Sequence, residues 1–196
     1  MDSPSANRNG HSVPGNTMVS RTVNEIHALV RPFLEICILR KGPQDLPASG
    51  LLLGIAVCAH VLMSILLSVV TLNAWQAVLA GLTDTLLVLI LTGTLLYAHR
   101  QKARIVQTLT AMTGTGAIIT LVAIPVFSWL YSLQSSGSGS PLAGLVVLGL
   151  IAWSLGISGH ILRHALSIPY FLGIFIAFVF FWISHSVFTS LFPLGN

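Results

Sequence analysis

The sequence predicts an all-α fold: a polytopic transmembrane helix bundle of five spans, N-terminus cytoplasmic and C-terminus outside, preceded by an amphipathic interfacial helix. Three observations predict it. Of 196 residues, 54% are hydrophobic and only 7% charged, against about 25% charged in an average soluble domain. Five apolar runs each reach the roughly 20 residues that cross a bilayer. All nine Lys and Arg residues fall before the first run or in alternate connections between the runs. A mean hydropathy of +0.87 excludes a soluble enzyme, a disordered chain and a secreted disulfide scaffold. In a soluble protein the net charge of +4 would suggest nucleic-acid binding. Here topology accounts for the basic residues, and no nucleic-acid partner is expected. The two cysteines, Cys37 and Cys58, lie in different environments and are read as free.

Residues 1–21 are rich in Pro, Asn, Ser and Gly, with no apolar core of a signal peptide, and are expected to form a disordered cytoplasmic tail. Residues 22–47 are read as the amphipathic helix and a loop leading to the first span. Thr22 and Glu25 have capping-box spacing. Behind them Val23, Ile26, Val30, Phe33, Leu34, Cys37 and Ile38 recur on one stripe, interrupted at Pro32. Such a helix lies in the membrane interface or packs on the cytoplasmic ends of the bundle, and the stripe fits both. Arg40, Lys41, Gly42 and Pro43 end it.

Residues 48–196 form the transmembrane domain, with spans predicted at 48–72, 75–98, 105–131, 141–162 and 168–192. The connections are short, which makes sequential spans antiparallel. The third span opens with a polar half (Gln107, Thr108, Thr110, Thr113, Thr115) and is expected to kink near Pro125. Counting charge on each side places all nine basic residues in 1–47, 99–104 and 163–167 and none opposite, a positive-inside signal. Trp75, Trp129, Tyr131 and Phe192 fall near the expected outer interface.

Among the five Asp and Glu residues, Asp84 alone lies inside a span. An ionised Asp at mid-bilayer costs about 2.5–3.5 kcal/mol on insertion scales, so it must be neutral, paired or hydrated. His60 precedes the Asn73 turn by nearly as many residues as Asp84 follows it. At ~1.5 Å rise per residue the two lie within roughly 3 Å of one depth. A hydrogen bond between them across the first hairpin is the expectation. It serves either as a polar staple between helices or as a proton- or ion-handling pair.

His160 and His164 share a helix face beside Arg163. Their spacing suits a metal ion, but no H-E-x-x-H or H-x-x-E-H pattern accompanies them. The plainer reading is an interfacial cluster over a helix C-terminus, where cations are favoured. His60, His160 and His185, on separate spans, include enough imidazoles for two axial haem ligands. Their predicted depths differ, and no cofactor is expected. Gly50 and Gly54 form a GxxxG row that Cys58 extends. Together with Thr92–Thr94 and Thr113–Gly116, it is read as a surface for internal helix packing.

The five spans, polar N-terminus with an interfacial helix, and very short C-terminus resemble the Yip1-domain superfamily over about residues 22–196. The stretches RKGPQDLPAS (40–49) and ILRHALSIPYFLG (161–173) are similar to bacterial membrane proteins of this broad type. Eukaryotic members carry an Asp-Leu-Tyr-Gly-Pro-like element before the first span. Here Lys41-Gly42-Pro43-Gln44-Asp45-Leu46-Pro47 stands instead, so no functional residue is carried over. Short loops, no soluble domain and no recognisable catalytic set point to a non-enzymatic scaffold or assembly protein of Yip1-like type. Its partners would be the lipid bilayer and a membrane protein or further copies of the chain. The residues themselves leave two alternatives: a small transporter or channel subunit using His60 and Asp84, or a haem- or metal-binding subunit. The expected location is a bacterial cytoplasmic (inner) membrane, with a eukaryotic endomembrane as the alternative.

Overall fold

Large apolar side chains in long runs form helices because nothing but an internal ladder satisfies their backbone in lipid. The structure, a computed structural model, describes residues 30–137 and 140–192. The expected tail and the Thr22/Glu25 start signal lie outside the described residues. The chain divides into two units, Met1–Arg31 and Pro32–Asn196. In the first, Val30 and Arg31 are described and are helical.

The second unit opens with a short helix over 32–37 (α1). Then come a 3₁₀ turn Pro43–Asp45, α2 (Gly50–Ser68), α3 (Ala74–Ala98), a 3₁₀ turn Lys102–Arg104, α4 (Ile105–Ser135), α5 (Pro141–Leu166) and α6 (Tyr170–Leu191). No strand occurs among the described residues. Helices α2 to α6 are long and apolar enough to cross a membrane, which makes this an integral membrane protein. α2 is shorter than its predicted span, and α4 and α5 run four residues further than predicted. α4 is the hub: it packs on α2, α3 and α5, while α6 packs on α5 and touches α3.

The bundle is small and polar inside, large and apolar outside. α2 buries Ala56, His60 and Ser64, four residues apart on one face. α6 buries Gly173 and Ala177, whereas Leu51, Leu62, Leu86, Phe171, Phe175 and Trp182 are exposed. That inversion is expected where lipid replaces water and close backbone approach drives packing. Glycines mark the approaches. A Cβ at Gly81 would sit 2.8 Å from the Ile65 backbone nitrogen, and one at Gly159 the same distance from that of Ile174. The GxxxG row of α2 does not do this work. Gly50 and Gly54 have open space where a Cβ would stand, and Cys58 is exposed. The row faces open space, and the close approaches are made at Gly114 and Gly116, within the expected Thr113–Gly116 stretch, and at Gly81, Gly159 and Gly173.

The polar first half of α4 is buried without a polar partner helix. Thr108, Thr110, Thr113 and Thr115 donate to the carbonyls of Arg104, Val106, Leu109 and Ala111, one turn back, at 2.7–2.8 Å. Each hydroxyl is thereby satisfied within its own helix, presenting a methyl group to its neighbours. α4 continues as helix through Pro125. Phe192, at the end of α6, is buried, its ring tilted on Phe188 at 5.3 Å.

The Arg- and Lys-bearing connections meet at one end of the bundle, called here the basic end. Helices stop there in one way. Leu39, Arg100 and Ser167 take left-handed backbone with φ of 61°, 58° and 57°. The next residue's N–H then returns five residues: Arg40 to Glu35, Gln101 to Leu96 and Ile168 to Arg163. This 6→1 closure satisfies end carbonyls that the helix leaves open. α1 lies at this end, with Phe33, Ile36 and Cys37 buried against Leu46, Ala111, Ile157 and Ile161. A Cβ on Gly114 would strike the Phe33 ring.

Candidate functional site

The polar residues of the first hairpin gather where α2, α3 and α4 meet. Gly81 brings α3 onto the backbone of α2 at Ile65. Thr85, one turn further along α3, donates its hydroxyl hydrogen to Gly81 O at 2.9 Å. That fixes its oxygen as an acceptor, and His60 Nδ1 lies 3.0 Å away. Nδ1 is therefore a proton-bearing nitrogen that donates to Thr85 Oγ1. Nε2 is left facing Asp84 Oδ2 at 3.9 Å. The imidazole is buried, with Gly116 of α4 against its edge. A Cβ there would stand 2.6 Å from Cδ2 and 2.7 Å from Nε2.

The expected His60–Asp84 hydrogen bond is thus corrected: the two are neighbours, but 3.9 Å is beyond hydrogen-bond reach. The carboxylate's bond is to Ser64, whose Oγ donates to Oδ2 at 2.8 Å. The reason is rotational. His60 and Asp84 match in depth, but successive residues of α3 point about 100° apart. Thr85 rather than Asp84 points along the His60 ring plane, and Ser64, one turn on from His60, reaches the carboxylate.

Asp84 also faces away from the hairpin. Its side chain is 43% exposed, and that exposure opens into a cavity of about 480 Å³ lined by all five long helices. The cavity occupies the half of the bundle away from the basic end. It runs from Ser154, midway along α5, to Val70 and Thr71 in the turn after α2. Ser64 and Asp84 line one wall, and His185 of α6, stacked on Phe181 at 6.1 Å, lines another. No Lys or Arg lines it. Ser64 was detectable in the sequence as the third member of the Ala56, His60, Ser64 row. That His185 shares a cavity with Asp84 was not, because it depends on how α6 lies on α3.

His160, Arg163 and His164 stand at the basic end but act separately. His160 Nε2 donates to Lys41 O at 3.0 Å, and Trp153, two turns earlier on the same face of α5, donates to Cys37 O at 3.1 Å. Both hold the carbonyl end of α1. The His164 ring meets His160 edge-on at 4.6 Å, and Arg163 lies over Tyr170. The expected cover of the α5 C-terminus comes from elsewhere: Arg104 Nη1 donates to His164 O, Ala165 O and Ser167 Oγ at 3.0–3.2 Å. A basic loop residue reaches those carbonyls more directly than side chains on the helix itself can.

His60, His160 and His185 have different partners. Among the described residues no group of three or more His, Cys, Asp or Glu side chains could hold a metal. Burial pushes the Cys37 thiol up to about 11, which keeps it protonated and unreactive at neutral pH. Comparison of the chain with protein families, with curated proteins and with solved structures gives no match.

Proposed function

We propose that the protein is a small transporter or channel subunit that handles a proton or an ion at Asp84, with His60 behind it. The observation that carries this reading is the setting of the carboxylate. A polar staple needs only a closed helix contact, yet Asp84 is held by Ser64 on one side and faces a cavity on the other. His60 Nε2, 3.9 Å from Oδ2, is the imidazole nitrogen that faces the carboxyl and would receive a proton leaving it. Intramembrane carboxylates and imidazoles at such positions serve proton relays.

The test is proton flux in liposomes holding the purified protein and an imposed pH gradient. Wild type is expected to dissipate the gradient and Asp84→Asn to leave it standing. A wild-type rate no faster than that of empty liposomes would sink the proposal. The scaffold or Yip1-like reading draws on architecture alone, five spans with short connections. It predicts a stoichiometric protein partner in mild detergent and gives the cavity no role. A bacterial cytoplasmic membrane remains the proposed location, with a eukaryotic endomembrane as the alternative.

A further inference from the structure

We infer that the cavity is a binding site for a lipophilic monovalent cation, such as a bulky amine or quaternary ammonium, with Asp84 as its counter-ion. The inference rests on the reading that Asp84 works from the cavity wall, and it names what besides a proton the carboxylate would take. Four observations point to this class. The volume, about 480 Å³, suits a small organic molecule and is far larger than a bare ion needs. More than half of the lining side chains are apolar, and they include Phe127, Phe181 and Phe188, whose faces attract cations. Asp84 is the one Asp or Glu among the lining residues, and no Lys or Arg lines the cavity to pair with it. A multivalent metal is disfavoured, since no group of three ligating side chains lies among the described residues.

A neutral ligand would leave the carboxylate desolvated and uncompensated, and an anion would be repelled by it. A cation compensates it, and so does a proton, but a protonated Asp84 has no charge left for the cation. The two therefore compete for one group. The titratable groups around that carboxylate are His60 on α2 and His185 on α6. The polar residues that α4 and α5 contribute to the same cavity, Thr120 and Ser154, are uncharged. Protonating any of the three, Asp84 or either histidine, adds positive charge at the site. Cation binding must therefore weaken as pH falls.

The experiment measures equilibrium binding to the full chain in nanodiscs. The probes are tetraphenylphosphonium and tetraphenylborate, equal in shape and opposite in charge. Wild type is expected to bind the phosphonium saturably at one site, with affinity that falls as the pH is lowered, and to bind no borate saturably. Asp84→Asn is expected to lose at least tenfold in affinity. Ser154→Trp, which fills the cavity and leaves Asp84 intact, is expected to abolish binding. The inference is overturned if wild type shows no saturable phosphonium binding, if Asp84→Asn binds as wild type does, or if the borate binds equally. Proton flux without phosphonium binding would remove this ligand class and keep the transport reading. Phosphonium binding without flux would keep the site and remove transport.

Discussion

His60 shows how narrowly a buried imidazole is specified in this bundle. One nitrogen is committed to Thr85, the other faces Asp84, and the ring edge has only Gly116 beside it. Interhelical polar bonds in membranes average about 0.6 kcal/mol, so His60→Leu is expected to lower stability by roughly 1 kcal/mol once packing is included. Gly116→Ala should cost at least as much, because its methyl group meets the ring and the ring has nowhere to go. Thermal unfolding in detergent checks both, and a Gly116→Ala protein as stable as wild type would show that the ring is not held there. The sequence placed His60 and Asp84 at one depth by counting from the Asn73 turn. It could not supply the rotation of α2 against α3, and that rotation decides that Thr85 takes the imidazole and Ser64 the carboxylate.

The helix ends at the basic side carry a different lesson. The charge asymmetry was plain in the sequence, but charge counting treats Arg104 as one of nine equivalent cations. In the fold it covers the last carbonyls of α5 from a neighbouring turn. Removing it takes away the cation hydrogen-bonded to those carbonyls, so Arg104→Ala is expected to cost about 1–2 kcal/mol, against almost nothing for Arg100→Ala. The comparison is made by thermal unfolding in one detergent; equal losses would mean that Arg104 acts only as bulk charge. The five long helices were legible to within a few residues at most ends, because apolar length is a one-dimensional property. The GxxxG row misled because small-residue spacing says where a close approach is possible, not which neighbour arrives. The threonines of α4 looked like a weakness in the third span and are compatible with it, each bonded one turn back along its own helix.

For the whole molecule the orientation remains an inference from nine positive charges, and it yields a direct expectation. Cysteines introduced singly at Gln101 and at Ser140, in a chain with Cys37 and Cys58 replaced, should react oppositely with a membrane-impermeant maleimide applied to intact cells. Ser140→Cys should be labelled and Gln101→Cys protected. The reverse pattern would invert the topology and place the cavity mouth on the cytoplasmic side. The sequence could not foresee the cavity, and it left two places open for α1, because each is made by several helices at once.

Those two features divide the bundle between them. The apolar residues of α1 fill the basic half, pinned by Trp153 and His160. The other half is hollow, and Ile119 belongs to both, packing against the α1 cluster and lining the hollow. Ile119 and the α1 cluster thus stand between the hollow and the basic end. On the proposed transport reading, a path from Asp84 to the basic end would run past the contact of Phe33 with Gly114. The few residues before the first span, rather than the spans themselves, are then the part whose movement would turn a binding site into a passage.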